Sequence, residues 1–217
     1  REFYQCDGDI IGTESLLSEV SLVEVYHDVF NELKVDGVEI VINNRKILQG
    51  IANVLCAGSK LTEMTMAIDK LDKIGVEKVC EELIGRGFEE SQIEKLSPLL
   101  KLEGSSSEKL AYIKNFIGDD EVGLLGINEL EFVLSNCSAL EIDNLAFDPT
   151  LARGLDYYTG CIFEVKVLDG TMARTVNGGQ WPSLCVRIQM GQTIQCPLKD
   201  IGRRHMVDHL GATLSRC

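Results

Sequence analysis

The chain has 217 residues, enough for one large domain or one domain with an inserted subdomain. With 45% hydrophobic residues it can build a core, which excludes general disorder; no run approaches the ~18 apolar residues of a membrane helix, and no basic-then-apolar leader opens it. The net charge of −13 divides into −17 over residues 1–172 and +4 over residues 173–217, so the body is not built for broad polyanion binding. The default compartment is the cytoplasm, without a membrane partner, and the eight cysteines, none in a C-x-x-C pair, read as reduced and mostly buried thiols.

In chain order, "REFYQCDGDIIG" alternates like a strand. Gln5 and Asp9 fall on one face of it, roughly 13 Å apart at about 3.3 Å per residue. A bulge at Gly8 would let a small ligand meet both. Thr13 is placed to cap a helix carrying Leu16, Val20, Val23, Phe30 and Leu33. "DG" at 36–37 makes a turn, "VEIVIN" a strand, and "NRKILQGIANVL" a second helix. Residues 56–138 are dense in Lys, Glu, Leu and Ile, with glycines at 75, 85, 87, 104, 118 and 126 that read as breaks. Four or five short helices follow, one capped by a serine of "EGSSSE" ahead of Glu108. Strand character returns in "CIFEVKVLDG", with Cys161, Phe163, Val165 and Val167 on one side and Ile162, Glu164, Lys166 and Leu168 on the other. The order lacks a βαβ repeat, so an α+β fold on an antiparallel sheet is expected, with a helical subdomain inserted between strands.

Three clusters carry chemistry. In "LARGLDYYTG" the Arg153 guanidinium can grip a phosphate or carboxylate, and Tyr157 and Tyr158 offer flat walls and hydroxyls. If both tyrosines are extended, one faces the ligand and the other the core. The same residues also fit a surface turn with an ion pair and two packing rings. Gln5, Asp7 and Asp9 can hold an ammonium group, or simply face solvent from an edge strand. His205 and His209, with Cys185 and Cys196 upstream, do not have a standard zinc spacing, so no metal site is expected. His27 reads as a mid-helix residue without a catalytic role. Phosphate-loop, nucleophile-elbow, zinc-protease and dinucleotide fingerprints are absent.

Two of these stretches, in this order, resemble the histidyl-tRNA synthetases, a class II aminoacyl-tRNA synthetase family. "REFYQCDGDIIG" resembles the second strand of motif 2, and "LARGLDYYTGCIFEV" the histidine-specific signature; "VEIVINNRKIL" and the helical block fall where the family has a strand, a helix and an inserted helical domain. The resemblance implies a partial class II antiparallel sheet with flanking helices. It implies that Arg153 is catalytic, neutralising the α-phosphate of ATP while the carboxylate of histidine attacks. Gln5 and Asp9 match the positions that hold the substrate's amino group, and Tyr157 and Tyr158 those around its imidazole. The family makes a histidyl-adenylate from ATP with Mg²⁺ and passes the histidyl group to tRNA(His), whose acceptor arm the inserted helices meet; the parent enzyme is a homodimer.

The implied division is catalytic core at 1–55, helical subdomain at 56–138, core with the signature at 139–172, and a divergent or out-of-frame tail at 173–217. There "NGGQWPSL" keeps only the glycines of the family's next strand, and no motif 3 arginine is recognisable. The dimer helix and the ATP-binding arginine of motif 2 are also unmatched, so the fragment is expected to be inactive alone. A histidine-sensing regulatory subunit of ATP phosphoribosyltransferase, which shares the fold, is the first alternative. A non-catalytic interaction module of synthetase ancestry is the second.

Overall fold

The computed structural model describes residues 4–153, 158–168, 176–181, 185–190 and 215–216, with only the backbone described at 4–7, 176–181, 185–190 and 215–216. Strand β1 (Tyr4–Ile11) leads into helix α1 (Leu17–Glu32), strand β2 (Val38–Asn44) and helix α2 (Arg45–Val54). A short 3-10 turn at Gly58–Lys60 precedes helices α3 (Leu61–Ile68), α4 (Leu71–Gly85), α5 (Glu90–Leu100), α6 (Ser106–Ile117) and α7 (Glu121–Ala139). Strands β3 (Leu145–Phe147), β4 (Cys161–Val167), β5 (Val176–Trp181), β6 (Cys185–Met190) and β7 (Ser215–Arg216) follow.

Among the described residues the strands form one seven-stranded sheet in the order β3-β2-β4-β5-β6-β1-β7. All neighbours are antiparallel except β3, which runs parallel to β2. The protein is therefore α+β, as expected. Strands β5 and β6, beyond residue 173, join the sheet between β4 and β1 in continuous register.

The helices cover one face of the sheet. Tyr26 and Phe30 of α1 are buried with Ile40 and Ile42 of β2, and the Tyr26 and Phe163 rings meet at 6.4 Å between centroids. Helix α7 packs on α1, α2, β2 and β4, so the helical block is continuous with the core through its last helix. Its docking on α2 is unusually close. A methyl added at Gly50 would lie 2.6 Å from the Gly123 Cα, and one at Gly126 would lie 2.8 Å from the Ile47 backbone nitrogen. Gly126, read from sequence as a break, instead lies within α7, and closeness to α2 accounts for it. Gly75 does interrupt its helix, with φ 80° inside α4.

Other local expectations meet mixed outcomes. Ser105 caps α6 in a reciprocal box with Glu108, as predicted. Thr13 does not cap α1: the helix starts at Leu17, and the Thr13 hydroxyl accepts from the Ser15 amide in a turn before it. His27 bonds Asn144 across 3.1 Å, a packing role. Four described cysteines are free; Cys137 and Cys161 are buried, Cys80 is half-buried and Cys56 is exposed. Burial pushes the Cys137 thiol up to about 11. Among the described residues no helix is long and apolar enough to cross a membrane.

The glycine contacts predict opposite signs for one substitution type. Gly50→Ala should lower unfolding free energy by about 1–3 kcal/mol, because overpacking exceeds the gain in helix propensity. Gly85→Ala, with nothing within 4 Å of the added methyl, should raise it by roughly 0.5–1 kcal/mol. Urea denaturation measures both, and equal effects would contradict the close α2–α7 packing.

Candidate functional site

The chain leaves β3 at the sheet edge, passes β2 and enters β4 on its far side. Residues 148–153 make this crossing, and local bonds set its course. The Asp148 amide donates to the Ile42 carbonyl, at 3.1 Å. The Asp148 carboxylate accepts from the Thr150 amide at 2.9 Å and the Thr150 hydroxyl at 2.6 Å, a tight turn that suits "DPT". Burial works to raise the Asp148 carboxyl, but Thr150 and Lys166 (Nζ to Oδ2, 3.2 Å) outweigh it, so its pKa is lowered.

Asn43, at the end of β2, holds the same segment from below. It is wholly buried, and its Nδ2 donates to the Pro149 carbonyl at 3.1 Å and the Leu151 carbonyl at 2.9 Å. Its Oδ1 accepts from the Asn44 amide at 2.8 Å. The next amide but one, Arg45 N, donates to the Gly160 carbonyl at 2.8 Å. Asn44 caps α2 and reaches Glu129 of α7 at 2.8 Å, where Lys46 also pairs. Three consecutive residues thus join the sheet, α2, α7 and the two flanks of "RGLDYY".

Arg153 emerges from this crossing half-buried in a shallow, open cleft. Its Nη2 lies 3.4 Å from Glu164 Oε1 on β4, and its Nε 3.3 Å from Asp69 Oδ1 just after α3. Burial raises the Glu164 carboxyl, and Arg153 opposes that only in part. Glu164 and Lys166 lie on the cleft side of β4, while Cys161 meets Asn44 and Phe163 meets Tyr26 on the helix side, the two-sided pattern read from "CIFEVKVLDG". The cleft is lined by Asp69, Asp72, Asp148 and Glu164 against Arg153 and Lys166. Such a lining can take an ammonium group at the carboxylates and an anion only at the arginine–lysine side. Among the described residues no three His, Cys, Asp or Glu side chains gather to hold a metal ion.

The other candidates separate. Tyr158 is buried; burial first, and then the Tyr158 phenol, raise the Tyr26 hydroxyl well above its usual range. Tyr157 lies outside the described residues, as do His205, His209 and Cys196. Asp9 is exposed, and Gln5 is described by its backbone, paired with Ser215. The expected bulge at Gly8 is absent: Asp7, Gly8 and Asp9 pair one-for-one with Gln189, Ile188 and Arg187. The unbroken ladder over Cys6–Ile11 therefore leaves no extra residue to kink β1 between Gln5 and Asp9. Register links the two ends of the candidate site. Glu164 pairs with Asn177, Asn177 with Gln189, and Gln189 with Asp7. Three strand spacings separate β4 from β1, roughly 14 Å at about 4.8 Å each. Asn43, Asp69 and Glu164 were not singled out from sequence as parts of the site; Glu164 alone had a signal, its polar place in an apolar strand.

The family model of the histidyl-tRNA synthetases matches residues 1–193. The chain belongs to the histidyl-tRNA synthetase family. Over 185 residues it is 47% identical to the histidine–tRNA ligase of Porphyromonas gingivalis and 49% identical to that of Phocaeicola vulgatus, matching 85% of this chain. It spans 40% of the length of those relatives. The crystal structure of histidyl-tRNA synthetase from Nostoc superposes with a TM-score of 0.80 at 29% identity, over 86% of this chain and 48% of that one. An ATP phosphoribosyltransferase regulatory subunit/histidyl-tRNA synthetase from Bacillus halodurans shares the fold, with a TM-score of 0.73 at 14% identity over 86% of this chain and 50% of that one.

The raised Glu164 pKa fixes the sign of a stability test. A carboxyl raised in the folded state contributes stability below its unfolded pKa and loses it as pH rises through the folded value. At neutral pH, Glu164→Gln should therefore leave the melting temperature unchanged or raise it by about 2–4 °C. The advantage should vanish as pH falls toward the ordinary carboxylate range. A loss of more than about 5 °C at pH 7 would mean the Arg153 pair outweighs the burial cost.

Proposed function

We propose that this chain is part of the catalytic core of a histidine–tRNA ligase, which couples ATP to histidine through a histidyl-adenylate and transfers the histidyl group to tRNA(His). The observation that carries this reading is the position of Arg153, which we take as the family's signature arginine: it lies in a cleft beside β4, between Glu164 and Asp69. In the proposed reaction Arg153 contacts the α-phosphate, exchanging Asp69 for the charge that builds up during attack. Asp9 and Gln5 receive the amino group of histidine from β1 by side-chain reach. Tyr157 and Tyr158 border the imidazole, with the buried Tyr158 supporting from the core. Mg²⁺ arrives on the phosphates of ATP.

The same proposal divides the chain into core at 1–55 and 139–172, a helical subdomain at 56–138 that meets the acceptor arm, and a divergent tail at 173–217, the family match reaching 193. A homodimeric parent in the cytoplasm completes it. The regulatory-subunit alternative draws support only from shared fold at low identity, as with the Bacillus halodurans protein at 14%, whereas the identity to the histidine–tRNA ligases of Porphyromonas gingivalis and Phocaeicola vulgatus is 47–49%.

Histidine-dependent ATP–pyrophosphate exchange tests the reading. The chain by itself should give none, and the complete polypeptide that contains it should be active. Arg153→Ala in that polypeptide should lower kcat by about 10²–10³, the loss typical of one preorganised donor to a developing charge. Histidine binding without any exchange in the complete polypeptide would favour the sensor; no binding at all would leave only an interaction module.

A further inference from the structure

We propose that Asn43 is a positioning residue for Arg153: its carboxamide fixes the chain two residues before the arginine, and the adjoining Arg45 amide fixes the far flank. The functional half of this inference rests on the synthetase reading; the structural half does not.

Asn43 is fully buried, and both Nδ2 hydrogens and Oδ1 are used, on the Pro149 and Leu151 carbonyls and the Asn44 amide. The two carbonyls are not neighbours, so one planar NH₂ fork sets the spacing between residues 149 and 151. That spacing sets where the backbone of Arg153 leaves the β2 surface, because Leu151 and Ala152 between them are buried and cannot swing outward. On the other flank Arg45 N holds Gly160 O, directly ahead of the Cys161–Asn44 pair. Residues 43–45 therefore grip the chain before and after "RGLDYY". Among the described residues the side chain of Arg153 makes two long ion pairs, 3.3 and 3.4 Å. Pairs of this length hold the guanidinium loosely, so the backbone that Asn43 holds contributes to its aim. An error of about 1 Å in a group stabilising reacting charge costs rate steeply.

An isosteric aspartate would place a carboxylate against two carbonyl oxygens; a serine would keep one donor. Hydrogen exchange by mass spectrometry on the chain, with Asn43→Asp and Asn43→Ser, reads the hold directly. The bonded amides of Asp148, Thr150 and Leu151 should exchange at least ~10-fold faster in both variants, while the α4 and α5 amides keep their wild-type rates. In the complete polypeptide, Asn43→Ser should lower kcat for ATP–pyrophosphate exchange by about 10-fold or more with the histidine KM within ~3-fold, and Asn43→Asp should lower it further. Unchanged exchange at 148–151 in both variants, a rise spread evenly over the chain, or a raised KM with unaltered kcat would each overturn the proposal. If the wild-type polypeptide performs no pyrophosphate exchange, the synthetase reading fails while the amide exchange still decides whether Asn43 holds the segment.

Discussion

Strand β2 is closed on both faces, and that constraint organises the rest of the molecule. Ile40 and Ile42 face α1 and α7, while Val41 and Asn43 lie beneath the segment that carries the signature. A buried carboxamide without partners costs about 1–3 kcal/mol, so Asn43 requires two acceptors and one donor inside the protein. The crossing segment supplies both acceptors. The polar group that would otherwise weaken the core thus anchors the segment that leads to Arg153.

Charge acts on a different scale. The cleft holds more carboxylates than cations, yet Arg153 is only loosely paired within it. Loose pairing suits a group that must give up a partner: at 3.3 Å and with both side chains partly exposed, the Arg153–Asp69 pair is a weak competitor for a phosphate, whereas Glu164, 2% exposed, holds Arg153 from inside the fold. Asp69 brings the helical block to the same arginine, so whatever displaces α3 also alters the charge beside it. Elsewhere the fold carries a cost: Glu19 of α1 is buried with no hydrogen-bond partner for either oxygen among the described residues, and burial raises its pKa.

Much of the fold was legible because periodicity reports burial. The strand at 38–44, the paired faces of 161–167, the capping box at Ser105 and the helical texture of 56–138 each follow from side chains within one element. What failed depended on partners far away in sequence. Gly126 looks like a helix breaker until α2 is packed against it. A bulge at Gly8 is reasonable for an isolated strand, but the continuous ladder to β6 excludes it. The three-residue β3 is too short to show alternation and exists because β2 offers an edge. For the site, Arg153 stood out as a cation just ahead of an Asp-Tyr-Tyr run, whereas Asp69 looked like any acid on a solvated helix and Asn43 like a polar strand end. Their roles are set by contacts across 84 and 106–108 residues, which no local pattern encodes.

The central claim is that the backbone held by Asn43 helps to aim Arg153 and that a phosphate releases it from Asp69. A crystal structure of the complete polypeptide with a non-hydrolysable histidyl-adenylate analogue tests it most directly. The account predicts the Arg153 guanidinium within about 3 Å of the analogue's phosphate-equivalent oxygens, no longer on Asp69, with Asn43 still bonded to the Pro149 and Leu151 carbonyls. An analogue bound elsewhere, with Arg153 still paired to Asp69 and Glu164, would contradict it.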